Sequence, residues 1–176
     1  MFLKCLDFFI LRLAFVESFS IVCTLFFDIY FMQRTLVLLK PDTIQRSLTG
    51  TLIARFEQKG LKIVGLKMMS MDKALCDEHY SHMTTKPFYP GIVSFMGAGP
   101  IVALAIEGHD AVAVVRKMCG LTAENEWVAG TIRGDYARSI DNNLIHSSDS
   151  LETASVEVAR FFRDTELFTY GRDLAN

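Results

Sequence analysis

Once short inserted helices are set aside, the predicted strands and helices of this 176-residue chain follow the order βαββαβ. That order predicts an α+β fold in which a four-stranded antiparallel sheet carries helices on one face, the ferredoxin-like arrangement. The length indicates one such domain and is sufficient to bury a full hydrophobic core. The sequence shows no internal repeat and no low-complexity segment that would favour another architecture.

Four segments have the composition of β-strands. The first is a nearly continuous apolar run, which is typical of a central strand, and the third is also apolar. The second alternates and is expected to be half exposed. The fourth is short and ends at a histidine. The predicted strands are Thr35–Lys40, Leu61–Met71, Ile101–Ile106 and Asn142–His146.

The intervening segments have helical spacing. A helix is predicted over Ile44–Gln58, with an inward stripe of Leu48, Leu52, Ile53 and Phe56 and a stop at Gly60. Further helices are predicted over Asp72–Ser81, Phe88–Met96 and Ala111–Met118, the last capped by Gly108-His109-Asp110, and an irregular loop is predicted over Leu121–Arg133.

The last helix is predicted from Leu151 to Phe162. Asp149 has the side chain of an N-cap, and Glu152 follows three positions later, so the pair resembles a capping box. The buried stripe of this helix is predicted to comprise Leu151, Ala154, Val158 and Phe161.

Charge and cysteine content exclude several classes of protein. The net charge is −2 and the isoelectric point about 6.1, so no basic field indicates a stable nucleic-acid partner. The four cysteines form no CxxC pair, which argues against a zinc site or a disulfide framework. Cys76 and Cys119 are interpreted as small buried residues of a protein from a reducing compartment, and the predicted location is the cytoplasm.

Residues 1–31 differ in composition from the rest and are set apart from a domain over residues 32–176. The segment is rich in Phe, Leu and Ile, and its longest uncharged run, Ser18–Phe27, is shorter than the roughly 20 residues that span a bilayer. It also lacks the organisation of a signal peptide. Three interpretations stay open: a membrane-associating helix, an ordered appendage, or sequence upstream of a natural start at Met32, which we favour.

His146 is the candidate centre of chemistry. It lies where the fourth strand ends, so its imidazole is placed at the mouth of a cleft, as a nucleophile or general base requires. Glu157 lies on the apolar side of the following helix, three residues after Ala154 and four before Phe161. A carboxylate at the edge of such a stripe needs a partner, and His146 is a plausible one. The alternative is a histidine with a purely structural role in the core.

Phosphate binding, if present, must depend on side chains, because the chain has neither a Walker A sequence nor G-x-G-x-x-G. The cationic candidates are Lys40, Arg116 and Arg133, and arginine suits phosphate because its planar fork binds two oxygens. Thr122 could add a hydroxyl. Asn143 lies three residues before His146 and shares its cleft only if the strand bends or ends there. The cations also have structural alternatives: Lys40 as a solvated strand end, Arg116 as part of a helix surface, and Arg133 as a member of a local ion pair. Phe88 and Tyr80, two aromatic residues considered with them, could belong to the core.

Five separated motifs, in order, resemble those of nucleoside diphosphate kinases over residues 32 to about 170. The active-site signature of that family is similar to Asn143-Leu144-Ile145-His146-Ser147-Ser148-Asp149-Ser150. The other four are Arg34-Thr35-Leu36-Val37-Leu38-Leu39-Lys40-Pro41-Asp42, Lys86-Pro87-Phe88, Gly99-Pro100-Ile101-Val102 and Gly130-Thr131-Ile132-Arg133-Gly134-Asp135.

The resemblance implies a transfer of the γ-phosphate of ATP to a nucleoside diphosphate in two ping-pong steps, through a phosphohistidine at His146, which maintains the nucleoside triphosphate pools. It implies that Glu157 orients the imidazole, with Ser148 and Tyr80 in support. It also implies that the nucleotide is bound by Lys40, Phe88, Arg116, Thr122, Arg133 and Asn143. Mg²⁺ is expected to arrive on the nucleotide phosphates, without a metal site made by the protein.

The family forms hexamers or tetramers, and the resemblance favours a homo-hexamer. The loop Thr122–Ala129 lacks the prolines that commonly occupy this oligomer contact in the family, so the expected assembly does not rest on the sequence of this loop. Two rival hypotheses remain: a nucleotide- or nucleic-acid-binding module on the same fold, and a protein tethered to a membrane through residues 1–31. An RNA-binding module should show aromatic sheet positions and a basic face, which the strands lack.

Overall fold

A four-stranded antiparallel sheet forms the centre of the computed structural model, which describes residues 32–171. The spatial order is β2-β3-β1-β4, so β1 is a central strand, as predicted, and both central strands are buried over most of their length. The strands are β1 (Met32–Leu39), β2 (Lys62–Met69), β3 (Ile101–His109) and β4 (Ile145–Ser147). The predictions for residues 1–31 lie outside the described residues.

Seven α-helices connect or follow these strands in the described part of the chain. They are α1 (Pro41–Gln45), α2 (Thr49–Gln58), α3 (Lys73–His79), α4 (Tyr89–Met96), α5 (Ala111–Cys119), α6 (Ile132–Tyr136) and α7 (Leu151–Phe161). Short 3₁₀ turns occur at Ser81–Met83, Glu124–Glu126 and Asp164–Glu166. None of these helices is long and apolar enough to span a membrane.

Helices cover both faces of the sheet, and the prediction that they cover one face was wrong. Leu36 and Leu38 of β1 pack with α3, α4 and α7, whereas Val37 and Leu39 pack with α2, α5 and α6. Because successive side chains of a strand point to opposite faces, a continuous apolar run such as β1 requires cover on both. Cys76 and Cys119 are buried, one in each core, as predicted.

The first predicted helix divides into α1 and α2. Ser47 has a φ of 57°, a left-handed conformation that interrupts the helix after a single turn of α1. Leu52 and Phe56 are fully buried, and Gly60 follows α2 with a φ of 88°, which suits its predicted role as the stop. The predicted Leu121–Arg133 loop also ends earlier than expected, because Ile132 and Arg133 belong to α6, which Thr131 caps by accepting from the Gly134 N–H.

Two predicted helix caps differ from those observed. Ser150 caps α7 by accepting from the Thr153 N–H, so the prediction of Asp149 was wrong by one residue. Leu151, the first residue of α7, lies at the surface, 50 % exposed, so the prediction that it belongs to the buried stripe was wrong. At α5 the N-cap Asp110 makes no side-chain cap bond, and its neighbours Gly108 and His109 continue β3.

The fourth strand is shorter than predicted. It begins at Ile145 rather than Asn142, because Leu144 has a φ of 69° that no extended strand permits. His146 is the middle residue of β4, paired with Leu38, and Ser147 is paired with Val37. The histidine therefore points toward the sheet face that α3 and α7 cover.

Candidate active site around His146

His146 is joined to the last helix by hydrogen bonds from one ring nitrogen. Its Nε2 lies 3.1 Å from both carboxylate oxygens of Glu157, which is buried in α7. Ser148 donates its hydroxyl to the same carboxylate at 2.7 Å and accepts from the Leu36 N–H of β1 at 3.2 Å. The structure thus brings together the three predicted residues His146, Glu157 and Ser148 and ties them to the central strand.

The carboxylate of Glu157 is ionised in this setting. Burial alone would raise its pKa, but the hydrogen bond from His146, the charge of that imidazole and the bond from Ser148 together lower the pKa below its usual value. An ionised carboxylate accepts hydrogen bonds and cannot donate one. Nε2 of His146 must therefore carry a proton, and the lone pair that can attack a phosphorus atom is the one on Nδ1. The histidine side chain is 22 % exposed.

A strained turn precedes the strand and settles the position of Asn143. Ile145 donates its N–H to the carbonyl of Asn143 at 2.8 Å across Leu144, which forms a γ-turn of the rare type with positive φ. Such a conformation persists only when the surrounding structure holds it. Because this turn interrupts the strand before Ile145, the side chain of Asn143 need not point to the sheet face opposite His146, as it would in an ideal strand.

Asp42 and Thr43 of α1 hold this turn. Asp42 accepts from the Leu144 N–H at 3.1 Å, and the hydroxyl of Thr43 donates to the Leu144 carbonyl at 2.6 Å. The N–H of Lys40 donates to the same carbonyl at 2.8 Å. Leu144 is therefore fixed through both of its backbone polar groups by the segment that follows β1. From the sequence alone, Asp42 and Thr43 were expected only to form a turn or a helix cap.

Lys40 and Asn143 form a second pair beside this turn. The Lys40 Nζ donates to the Asn143 Oδ1 at 2.6 Å, while the Asn143 amide donates to the Ile140 carbonyl at 2.5 Å. Burial, reinforced by the charge of Arg133, lowers the pKa of Lys40 to about 8, although Asp42 and Asp141 oppose the shift. Lys40 is thus a cation whose charge is lost within one or two pH units of neutrality.

The two candidate arginines reach the backbone of β4. Arg133 is buried and donates to the carbonyls of Gly120 and of Ile145, the latter at 2.6 Å. Arg116 is exposed on α5 and lies 3.5 Å from the carbonyl of Ser147. The residues whose carbonyls they approach precede and follow His146 directly. Two guanidinium groups are therefore held near the backbone of His146 on the face of the sheet that α5 and α6 cover.

The remaining predicted residues lie further from this cluster or meet it through ring contacts. Tyr80 is buried, and its ring centroid is 6.4 Å from that of His146. Phe88 is 58 % exposed at the start of α4, and Thr122 is exposed after the end of α5. In the described part of the chain, neither hydrogen-bonds to His146 or Glu157.

His79 is a member of the cluster that the sequence analysis missed. It is the last residue of α3, its side chain is 0 % exposed, and its ring lies 4.6 Å from the ring of His146 in an edge-to-face contact. Its Nδ1 is 3.7 Å from Glu157 Oε1. A signal was available, because His79 follows the buried Cys76 by three residues, which places both on one face of a helix.

The chain is similar to known proteins of one family. Residues 33–167 match the family model described as nucleoside diphosphate kinase. A nucleoside diphosphate kinase from Thermus thermophilus is 49 % identical over 136 residues, covering 77 % of this chain and 99 % of the relative. One from Thermoplasma volcanium is 48 % identical over 145 residues, covering 81 % of this chain and 99 % of the relative.

Solved structures lead to the same group. A halophilic nucleoside diphosphate kinase from Halobacterium salinarum in complex with CDP superposes with a TM-score of 0.78 at 45 % identity, covering 80 % of this chain and 94 % of the other. The nucleoside diphosphate kinase of Aquifex aeolicus gives a TM-score of 0.75 at 36 % identity, covering 78 % of this chain and 99 % of the other.

Proposed function

Because the chain belongs to the nucleoside diphosphate kinase family, we propose that it transfers the γ-phosphate of ATP to nucleoside diphosphates through a phosphohistidine at His146. The observation that carries this proposal is the pair of contacts between His146 Nε2 and the Glu157 carboxylate, which leave Nδ1 as the nucleophile. Covalent catalysis of this kind lets one pocket serve donor and acceptor in turn.

The two steps balance without any further reactant. Nδ1 of His146 attacks the γ-phosphorus, an N–P bond forms, and the bond to the β-phosphate oxygen breaks to release ADP. A terminal phosphate oxygen of a second nucleoside diphosphate then attacks the same phosphorus, and the N–P bond breaks. Glu157 opposes the positive charge that the imidazole gains in the first step, which lowers the barrier electrostatically.

The cations beside β4 are proposed to hold the phosphates. Phosphoryl transfer depends mainly on positioning and on stabilising charge spread over the phosphate oxygens. Lys40, Arg116 and Arg133 supply three positive charges from different elements. Arg133 already donates to two carbonyls, so its contribution is the field of its charge and its remaining N–H groups.

The nucleoside part of the substrate is proposed to bind outside this cluster. Phe88 is an exposed aromatic ring on which a base of any kind can stack, which suits broad nucleotide specificity. Thr122 adds a hydroxyl near the phosphates, and Asn143, held beside Lys40, is proposed to meet the ribose end. Tyr80 supports the ring of His146 from the core. The Halobacterium salinarum relative was solved with CDP, a nucleoside diphosphate.

Mg²⁺ is proposed to enter on the nucleotide. The charged side chains around His146 suit phosphate oxygens, and the polar groups nearest to the Glu157 carboxylate include imidazole nitrogens, which Mg²⁺ does not favour as ligands. When bound to the phosphates, Mg²⁺ supplies charge neutralisation. No protein residue is assigned to it.

Self-association is proposed, with a hexamer favoured over a tetramer. Among the described strands β2 is at an edge of the sheet, and its Leu66 and Met68 are 55 % and 60 % exposed. Apolar side chains on an unpaired edge favour contact with a second copy. The proposed kinase domain is residues 32–176, and the proposed location is the cytoplasm, where nucleoside triphosphates are available.

Isotopic labelling tests the proposal. The purified full chain is incubated with γ-labelled ATP and magnesium, and GDP is added afterwards. An acid-labile, base-stable label should form, leave as GTP when GDP arrives, and be absent in His146→Ala. A wild-type protein that binds nucleotide but takes no label would be a binding module, and the proposal would fail.

A further inference from the structure

His79 is a buried histidine whose ring nitrogens are both without a hydrogen-bond partner among the described residues. Burying a polar group in this way is costly, and structures rarely leave such a group unpaired without a reason. Three rings surround it edge to face, those of Tyr80, His146 and Phe161. These contacts fix the ring but satisfy neither nitrogen.

The ring of His79 lies beside two other groups that can bind a metal ion, the imidazole of His146 and the carboxylate of Glu157. His79, His146 and Glu157 each offer one donor atom, and these atoms all lie within 4.8 Å of one another. The distances from the Glu157 carboxylate are 3.1 Å to His146 Nε2 and 3.7 Å to His79 Nδ1. A tetrahedral Zn²⁺ ion, with bonds of about 2.0–2.2 Å to nitrogen and oxygen, holds its donors roughly 3.4 Å apart.

The protonation states suit a metal. The buried imidazole of His79 makes no hydrogen bond to a described residue, and a neutral imidazole has one nitrogen with a free lone pair. The carboxylate of Glu157 is ionised, as shown above. The three donors come from three elements, α3, β4 and α7. The ring of His146 is partly exposed, so the site is open to solvent on that side. A fourth coordination position would remain for water.

We propose that His79, His146 and Glu157 form an inhibitory binding site for a Zn²⁺-like transition-metal ion. The inhibition rests on the proposed function, whereas the binding does not. A metal ion bound to Nε2 of His146 leaves the ring proton on Nδ1. The lone pair that attacks phosphate is then absent, and Glu157 is no longer free to accept from the imidazole. No proton is lost, since the ring only changes tautomer.

The donor set separates this ion from the Mg²⁺ of the substrate. Two imidazole nitrogens and one carboxylate favour Zn²⁺, Co²⁺ or Cu²⁺, whereas Mg²⁺ requires octahedral oxygen ligands. Millimolar magnesium therefore should not displace the inhibitor. Phosphate transfer would proceed in magnesium and stop when a small amount of zinc is added.

Cobalt is the probe for binding. Co²⁺ is added to the metal-stripped, nucleotide-free full chain, and the intense visible absorption of four-coordinate Co²⁺ is recorded. We expect one ion per chain, displaced by Zn²⁺. His79→Phe keeps an aromatic ring at this position but removes the donor and should weaken Co²⁺ binding at least tenfold. The matched control is His82→Phe, the same change at an exposed histidine one turn further along the chain.

A second measurement uses the wild-type protein and is independent of how the variant folds. In ¹⁵N-histidine spectra, Zn²⁺ should shift the ring signals of His79 and His146 and leave those of His82 and His109 unchanged. A protein that shows no four-coordinate cobalt band, or one that retains it in His79→Phe, would overturn the proposal.

Inhibition is measured separately. Pre-equilibration with Zn²⁺ should reduce labelling of His146 by magnesium ATP, and a chelator should restore it. If zinc acted only by binding ATP, the wild type, His79→Phe and His82→Phe would be inhibited equally, which would contradict a protein site. If His146 takes no label even without zinc while cobalt binds as expected, the proposed function fails and the metal site stands.

Discussion

Replacing Glu157 with glutamine should slow the phosphorylation of His146 about 30-fold and leave the fold intact. Glutamine has nearly the same shape and keeps an oxygen that can accept from His146 Nε2, so the tautomer is retained. What is lost is the negative charge. Two unit charges about 4 Å apart interact by about 4 kcal/mol at an effective dielectric constant of 20. If half a charge develops on the ring, about 2 kcal/mol is lost, which corresponds to about 30-fold.

The assay is a single turnover of the purified protein with magnesium ATP by rapid quench, with the phosphoprotein as the signal. Glu152→Gln is the matched control, because Glu152 lies on the exposed surface of the same helix. Urea unfolding of both variants separates a catalytic loss from a folding loss. A Glu157→Gln rate within threefold of wild type, at unchanged stability, would refute the electrostatic role of the carboxylate.

Three further predictions concern nucleotide binding and the strained turn. The pKa of Lys40 is lowered to about 8, so the side chain is charged below that pH and neutral above it. The affinity for ADP, measured by calorimetry, should therefore fall about 5- to 10-fold between pH 7.5 and 9. In Lys40→Arg the affinity for ADP should not change over this pH range. Thr43→Val removes the hydroxyl that donates to Leu144 and should cost about 1 kcal/mol of unfolding free energy, with a lower kcat; equal stability of variant and wild type in urea would contradict this. Phe88→Ala should weaken ADP binding by about 1–3 kcal/mol through lost stacking, and an unchanged Kd would place the base elsewhere.

Long apolar patterns made the framework of the fold predictable. β1 and β3 are recognisable because every residue in their centre is apolar, and β2 because apolar residues recur at nearly alternate positions. In β2 the buried residues are Val64 and Gly65, whereas the apolar Leu66 and Met68 are exposed. The continuous run of apolar residues in β1 also indicates that both faces of the sheet are covered by helices. The mistake lay in assigning all helices to one face from the order of elements alone, since order does not specify layers.

Single backbone angles were not predictable. Ser47 and Leu144 both adopt positive φ, which is uncommon for residues other than glycine, asparagine and aspartate. The consequences were a helix predicted in one piece and a strand predicted to begin three residues too early. Leu144 adopts its angle because Asp42 and Thr43, about 100 residues earlier in the chain, hold its N–H and its carbonyl. Such contacts come from tertiary structure and leave no local signal.

The candidate site was predictable at residues whose chemistry and position in the sequence left few alternative roles. His146 beside a small, hydroxyl-rich turn and Glu157 on an apolar stripe pointed to each other, and the structure joins them. His79 was not found, because a histidine at the end of a helix usually has a structural or capping role. Only the three-dimensional arrangement shows that its ring and that of His146 share one carboxylate.

The most direct test of the account is to determine which nitrogen of His146 carries the phosphate. The protein is labelled with ¹⁵N-histidine, phosphorylated with magnesium ATP and studied by NMR for coupling between phosphorus and ring nitrogen. Because Glu157 holds Nε2, phosphate should be found on Nδ1, with Nε2 still protonated. Phosphate on Nε2 would show that the contact between His146 and Glu157 does not direct the chemistry, and would contradict the account.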